Sequence, residues 1–265
     1  MNTNNSESWL KTLEKLGVDT TKLTFKELMP FKDVDRYLNE PVANGTKEWK
    51  YLIKSFRLLT VFSLATIYED KFMSLSNCWS ELNELFVNRE MFDDEVFVQS
   101  WVFCDFPLNN AKETVLDYFE KFICEAGLKE EYTSFIHSMR TSRLGLYQEI
   151  LSSKKTIKFK ELFTNKIIKV ENTIPVFEKG EIFLTRLVKI GGKIYSFGDP
   201  KCWPKEYKLQ LENMVKDKLF YFNGASVEAK YKQHMKYAGP YWMSCVVADE
   251  ECPILQPDRY LDYLE

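Results

Sequence analysis

The spacing of apolar residues divides the chain into a helical part and a part with the alternation of β-strands. Through most of the first 150 residues, apolar side chains recur every three or four positions, which predicts amphipathic helices. One face of the segment 111–126 consists of Val115, Leu116, Phe119, Phe122 and Ile123. Gly127 follows at the position where glycine commonly ends a helix. We interpret "SRLGLYQEIL" (142–151) as the end of this helical region.

Short motifs predict where several of these helices begin. "TFKE" (24–27) fits a capping box, in which the first and last side chains bond each other's backbone. "NGT" (44–46) is a turn with an N-cap, and it introduces an apolar-periodic segment over about 49–72. Further helices are expected at about 76–88 and 129–141.

Downstream of the helical region the hydrophobic period becomes two, which predicts strands. Ile157 and Phe159 alternate with lysines, and "TNK" (164–166) suits a turn before the next apolar run. Gly191-Gly192 lies between two further alternating runs, and glycine permits the positive φ angles of a two-residue primed turn. Two hairpins of a small antiparallel sheet are therefore expected.

These elements predict an α+β protein with one compact unit. A mainly helical region (1–150) is expected to pack on the antiparallel β-hairpins (151–200), because a small sheet must cover its apolar face. The remainder (201–265) is expected to contain a C-terminal helix and a mixed tail. Pro204 suits the first turn of that helix.

The strand before the glycine pair contains a charge among apolar neighbours. Alternation places Ile182, Leu184, Arg186 and Val188 on one face, and Phe183, Thr185, Leu187 and Lys189 on the other. Since both faces are mostly apolar, we expect both to be covered, which would bury Arg186. A buried guanidinium must be paired. The candidate carboxylates are Asp105, Glu161 and Asp199. Such a group is either a structural ion pair or an anion-binding site.

Composition restricts the class of protein. The chain has 265 residues, is 45% hydrophobic and 15% aromatic, and is long enough to bury a full core. Its formal net charge is −3, so no global basic field favours nucleic acid or an anionic membrane. "MNTNNSESWL" (1–10) lacks a basic-then-apolar leader, and the apolar runs are shorter than a membrane span. We expect a soluble cytoplasmic protein without membrane contact.

Residues that carry chemistry are few and scattered. The two histidines are His137 and His234; a Cys124–His137 dyad stays open, although a helix-end role for His137 is the simpler interpretation. A zinc set would have to combine Cys202, His234, Cys245 and Cys252, at spacings far wider than the usual two to four residues. The acidic clusters at 93–95 and 248–251 are typical of solvated loops, with Mg²⁺ binding as the alternative. No cofactor is predicted.

The segment "AKYKQHMKYAGPYW" (229–242) mixes basic and aromatic side chains. They are Lys230, Tyr231, Lys232, His234, Lys236, Tyr237, Tyr241 and Trp242. Basic groups track phosphates and aromatic rings stack on bases, so this segment is a candidate surface for single-stranded nucleic acid. A protein-binding surface and a half-buried helix with lysines reaching into solvent are the alternatives.

The order of several segments from about 97 to 210 resembles a module of uncharacterised bacterial proteins, some of which carry a C-terminal SEC-C zinc motif. The matching segments are "FVQSWVFCDFPL", "ETVLDYF", "SRLGLYQEIL", "KFKELFTNKIIKVEN", "FEKGEIFLTRLVKIGGKIYSFGDP" and "WPKEY". This chain has Glu161 where the pattern commonly has Asp, and it lacks the C-x-C cluster of the zinc motif. The resemblance implies a bacterial origin and assigns no catalytic residue.

The leading hypothesis is a non-enzymatic bacterial interaction or adaptor protein with an unknown protein partner. One alternative is a nucleic-acid-binding accessory protein that uses the segment 229–242. The other is a metal- or cysteine-dependent enzyme whose site is assembled from distant residues.

Overall fold

A computed structural model describes residues 34–42, 45–66, 95–107, 111–125, 127–171 and 179–237. Several sequence predictions lie outside these ranges. They are the capping box at 24–27, the helix at 76–88, most of the acidic cluster at 93–95, the cluster at 248–251, and the side chains of Tyr241, Trp242, Cys245 and Cys252.

In these ranges the chain forms seven α-helices. They are α1 (Val34–Asn39), α2 (Lys47–Thr66), α3 (Glu95–Cys104), α4 (Val115–Glu125), α5 (Lys129–Thr141), α6 (Lys208–Lys216) and α7 (Val227–Tyr237). Two short 3₁₀ helices, Lys205–Tyr207 and Leu219–Tyr221, precede and follow α6. The predicted helix after Pro204 is thus present, and it begins with a 3₁₀ turn.

The predicted helix boundaries near Thr46 and Gly127 are confirmed. The Thr46 hydroxyl accepts a hydrogen bond from the Trp49 backbone N–H at 3.3 Å, which caps α2. Gly127 has φ +73°, and the next residue donates to the Ile123 carbonyl at 2.9 Å, which closes the end of α4. The predicted apolar face of α4 is buried along its whole length.

Five strands form a closed barrel in the order β1-β2-β3-β5-β4. They are β1 (Arg143–Ser152), β2 (Thr156–Glu161), β3 (Ile167–Glu171), β4 (Ile182–Ile190) and β5 (Lys193–Trp203). Neighbouring strands are antiparallel except β3 and β5, which pair in parallel at Glu171 and Tyr195. The α+β class is confirmed, and the sheet that was predicted as antiparallel also contains this one parallel pair.

The helical interpretation of residues 142–151 is also wrong, because these residues form most of β1. Both faces of the strand are buried: Leu144 and Leu146 face outward from the barrel, and Tyr147 faces inward. A strand covered on both sides presents a nearly continuous apolar run, which periodicity cannot distinguish from a buried helix. Ser142 alone separates β1 from the end of α5.

Apolar side chains fill the barrel. The central cluster consists of Tyr147, Ile157, Phe159, Val170, Phe183 and Leu187. The Phe159 ring lies 5.2 Å from that of Phe183 and 5.8 Å from that of Tyr147, measured between centroids. As expected from the sequence, β4 is buried on both faces, up to the exposed Lys189 near its end.

The chain divides into two compact units. The first comprises 1–80 and 107–140, and in it α2 contacts both α1 and α4. The second comprises 81–106 and 141–265, and in it α3 contacts β5 while α7 contacts β1. The sheet is therefore covered by a helix from the first 150 residues, although that helix belongs to the barrel unit. None of the helices in the described ranges is both long and apolar enough to cross a membrane.

The turn between β4 and β5 tests whether its two glycines are required by their backbone conformation. Gly191 and Gly192 have φ +57° and +78°, as the primed turn requires, and a Cβ on Gly192 would meet no atom within 4 Å. Gly192→Val should therefore lower the free energy of unfolding by about 1–3 kcal/mol through backbone strain alone. Gly192→Asn, which tolerates positive φ, should cost much less in the same urea titration. Equal losses for the two variants would contradict this explanation.

Candidate functional site

Arg186 is the largest fully buried charged side chain among the residues that the structure describes. It lies on β4, opposite Leu144 of β1 and Phe197 of β5, and points to the outer side of the barrel wall. Its side chain has 0% exposure. The local sequence explains this position, because alternation along an apolar strand leaves Arg186 no route to solvent.

Three protein groups bind the guanidinium. Nη2 forms a short ion pair with the Asp105 carboxylate, Nε donates to the Ser100 hydroxyl at 3.2 Å, and Nη1 donates to the Ser142 hydroxyl at 3.0 Å. Ser100 lies on α3, and Asp105 is the first residue after the end of that helix. Their contacts with Arg186 therefore fix α3 to the barrel wall. Burial raises the pKa of the Asp105 carboxyl, and the adjacent guanidinium opposes that rise.

The structure thus assigns to Arg186 one of its three candidate partners. Asp105 is that partner, whereas Glu161 pairs with Arg143. The structure does not describe the side chain of Asp199. Because Nε, Nη1 and Nη2 all have protein acceptors, the geometry favours a structural ion pair over an anion-binding site at Arg186.

A second guanidinium–carboxylate pair lies on the inner side of the wall. Glu161, at the end of β2, is fully buried and accepts from Arg143 at the start of β1. The Thr164 hydroxyl, in the turn after β2, donates to the same carboxylate. Tyr147 is the direct cross-strand neighbour of Glu161. Burial, together with the negative charge of Glu161, raises the pKa of Tyr147, so its phenol is neutral at physiological pH.

A glycine makes room for the ring of Tyr147. A Cβ on Gly145 would come within 2.6 Å of the Tyr147 hydroxyl oxygen, closer than any real contact of that kind. Gly145 and Tyr147 are two residues apart and share the inner face of β1. The small residue at this position is therefore required by packing rather than by backbone conformation.

The candidate surface at 229–242 needs correction, because two of its members are core residues. Tyr231 and His234 are buried on α7, since positions three and four apart form the stripe that faces the barrel. The Tyr231 hydroxyl accepts from the Leu146 N–H at 2.8 Å, and its ring stacks on that of Phe163 at 4.5 Å. His234 meets the Phe222 ring edge-on at 5.3 Å.

The lysines of this helix remain accessible. Lys232 is exposed and forms an ion pair of 2.9 Å with Glu228, four residues earlier. Lys230, Lys236 and Tyr237 are half-buried. The segment therefore keeps its lysines accessible, whereas Tyr231 and His234 are not available to a ligand; Tyr241 and Trp242 lie outside the described residues.

The residues proposed for metal or nucleophilic chemistry do not form a group in the described ranges. No cluster of three or more His, Cys, Asp or Glu side chains that could hold a metal occurs there. Cys202 is exposed on β5, but partial burial of its thiol and the charge of Glu181 raise its pKa to about 12. That thiol is protonated at neutral pH, which disfavours it as a nucleophile. Cys124 and His137 are both exposed.

Sequence reasoning missed Arg143, Ser100 and Ser142. If strand alternation is continued upstream to Arg143, this residue shares the inner face of β1 with Tyr147, the cross-strand neighbour of Glu161. That signal was hidden by the helical interpretation of 142–151. Ser100 and Ser142 carry no sequence signal, because their contacts with Arg186 span 86 and 44 positions.

Comparisons with protein-family models, curated proteins and solved structures return no match to this chain. The resemblance to a bacterial module therefore stays a prediction.

Removal of the buried Arg186 guanidinium should destabilise the fold strongly. Arg186→Met leaves the Asp105 carboxylate buried without its counter-charge, and we expect a loss of about 3–5 kcal/mol in the free energy of unfolding. The double variant Arg186→Met/Asp105→Leu should recover much of this loss. Arg140→Met serves as the control, because Arg140 pairs with Asp117 and Glu120 at the surface, and it should cost about 0–1 kcal/mol. A double variant no more stable than Arg186→Met would contradict the ion-pair explanation.

Stability should fall at mildly acidic pH because of His234. Burial, assisted by the positive charge of Lys218, lowers the pKa of His234 from 6.5 to about 3. The folded state keeps the imidazole neutral while the unfolded state protonates it, so stability is lost as the pH falls from 6.5 towards 3. Each pH unit in that window should cost up to about 1.4 kcal/mol.

Urea titrations between pH 7 and 5 test this prediction above the range where most carboxylates titrate. His234→Phe should remove the slope, whereas His137→Gln, at the exposed histidine, should keep it. An unchanged slope in His234→Phe would assign the pH dependence to other groups.

Proposed function

We propose that this chain is a non-enzymatic bacterial adaptor that acts in the cytoplasm by binding a partner protein through its barrel unit. The observation that carries the proposal is a set of exposed apolar side chains close together in the sequence after the barrel. This set, the apolar segment, consists of Tyr207, Leu209, Phe220, Tyr221 and Val227.

The side chains of the apolar segment are not needed to form the core of this region. On α6, Leu211 and Val215 are buried, while Leu209 is 65% exposed on another side of the helix. In the 3₁₀ helix after α6, Leu219 is buried while Phe220 is 67% exposed. The core of this region is therefore formed by other residues, and the exposed ones add apolar surface without contributing to it.

The elements that carry the segment contact one another. Both 3₁₀ helices contact α6, and the second also contacts α7. The rings of Phe220 and Tyr221 lie 3.7 Å apart between centroids. Adjacent exposed aromatic rings beside aliphatic side chains are typical of protein interfaces, where aromatic residues supply much of the binding energy.

The cellular location is part of the proposal. Cys104, Cys124 and Cys202 are free thiols in the structure. Unpaired cysteines are the rule in a reducing cytoplasm, whereas secreted proteins commonly oxidise them. These thiols support the cytoplasmic assignment.

A matched pair of surface variants tests the interaction. Phe220→Ser/Leu209→Ser removes two anchors of the apolar segment, and Ile167→Ser removes an equally exposed side chain on β3. Each protein is used to capture partners from host extract, and the candidate partner is then purified and titrated. We expect the double variant to weaken binding of that partner by at least about 30-fold, the effect of losing about 2 kcal/mol at an interface hot spot.

Ile167→Ser should bind the partner as tightly as the wild type. A partner that binds both variants equally well would contradict the assignment of the apolar segment as the interface. Circular dichroism of each variant checks that the fold is retained.

A further inference from the structure

The outer face of β2 and β3 carries lysines where the inner face carries the barrel core. Ile157 and Phe159 point inward, so Lys158 and Lys160 point outward; on β3 the outward residues include Lys169. Lys158 and Lys169 are exposed, and Lys160 is half-buried. We define the lysine face as these three residues together with Lys154 and Lys155 of the β1–β2 turn.

The strand register concentrates the charge. Lys158 and Lys169 are direct cross-strand partners. Like charges in that relation repel and destabilise a sheet, whereas a carboxylate at either position would stabilise it. Among the residues that the structure describes, no ion pair joins any lysine of the face to a carboxylate. The outward carboxylate Glu171 lies opposite Thr156, two residues from Lys169 on the same face, and forms no ion pair with it.

The turn that carries two of the lysines is held in place. The Ser153 hydroxyl accepts hydrogen bonds from the backbone N–H groups of Lys155 and Thr156, at 3.3 and 3.1 Å, and donates to the Thr156 carbonyl at 3.0 Å. Lys154 and Lys155 therefore extend from a fixed turn next to the strand that carries Lys158. The charges form one local basic surface on a chain whose formal net charge is −3.

We infer that the lysine face binds the phosphate backbone of a single-stranded nucleic acid. A repeated anionic polymer complements a repeated row of cations: Lys158 and Lys160 are two strand positions apart, which is about 6.6 Å. Exposed Leu151 and Ile167 are cross-strand partners of Lys158 and Lys160, so apolar surface lies beside the charges for bases to pack on.

The shape of the face favours a single strand over its competitors. The outside of a closed barrel is convex, so a rigid duplex or a flat membrane touches it along a narrow strip. A flexible single strand can follow the curvature and reach all the lysines. The inference is independent of the proposed protein interface, which uses other residues of the same unit.

The residue type predicts how binding behaves. Lysine offers a flexible point charge, whereas arginine provides the bidentate fork that reads base edges. Since every cation of the face is lysine, binding should be independent of sequence and strongly dependent on salt. For single strands the slope of log K against log salt is about −0.7 per phosphate contact. Three to five contacts give a slope of about −2 to −3.5.

Fluorescence anisotropy of the full chain with a labelled oligodeoxythymidine of about 20 nucleotides tests the inference between about 50 and 200 mM salt. Lys158→Glu/Lys169→Glu should weaken binding at low salt by at least about tenfold and make the salt slope shallower by about 1.4. The control Lys47→Glu/Lys50→Glu makes the same change in net charge at two exposed positions of α2 and should stay within about twofold of wild type.

A second variant tests the same face outside the strands, so that a folding defect in the first variant does not decide the result. Lys154→Glu/Lys155→Glu changes only the turn and should also weaken binding by at least about tenfold, with an unchanged circular dichroism spectrum. Phosphatidylserine vesicles and a duplex of equal length are titrated in parallel.

The inference is overturned if the wild type does not bind the oligonucleotide, or if both face variants bind as the wild type does. It is also overturned if the control loses as much affinity, or if Lys230→Ala/Lys232→Ala/Lys236→Ala on α7 abolishes binding while the face variants retain it. Equal or tighter binding of the duplex or the vesicles, lost in the same face variants, would assign the face to that ligand instead.

Discussion

A guanidinium that cannot reach water sets the strongest constraint on the barrel unit. Arg186 is directed to the outer side of β4 by strand alternation, and the cost of burying it is offset only by groups that come from outside the sheet. Those groups are Asp105 and Ser100 at α3, and Ser142 before β1. The position of α3 against β5 and the start of β1 are therefore tied to one side chain.

The same wall of the barrel is fixed from inside by Glu161 and Arg143. The two pairs lie on opposite faces of neighbouring strands, since Leu144 is the cross-strand partner of Arg186 and Tyr147 that of Glu161. A shift of β1 by one residue would exchange its two faces, which would break the Arg143–Glu161 pair and move Ser142 away from Arg186. Paired charges of this kind add little net stability. Here they specify register, in a barrel whose last seam is a single parallel pairing between β3 and β5.

The parts of the fold that could be predicted from sequence are those decided by local chemistry. The hydroxyl of Thr46, the positive φ of Gly127 and the glycine pair at 191–192 each act within a few residues, and the structure contains all three. The character of Arg186 was predictable for the same reason, because an apolar strand on both sides of a charge demands a partner. What could not be predicted depends on distant neighbours. β1 resembles a helix because both of its faces are covered, and its cover comes from elements that its own residues do not reveal.

This difference between local and distant determinants also explains why two residues of α7 were wrongly assigned to the surface. Tyr231 and His234 look like surface residues among lysines, yet both are buried, Tyr231 against β1 and His234 against Phe222. After Glu161 the Leu162 N–H still donates to the Leu146 carbonyl at 3.0 Å, but the Leu146 N–H donates to the Tyr231 hydroxyl, and without that acceptor it would be buried unpaired. A gap in a ladder between residues far apart in sequence is invisible until the strands are paired.

At the outer face of β2 and β3, packing does not determine the type of residue. Both faces of β4 are buried, and the outer side of β5 contacts α3, so packing determines the residue type at nearly every position there. On β2 and β3, packing determines only the inner positions, such as Phe159 and Val170. Any polar residue would satisfy the outer positions, and alternating charges would stabilise the strand pair better than facing lysines do. The lysines at 158 and 169 are therefore not explained by folding, and this is the reason to seek a ligand on that face of the barrel.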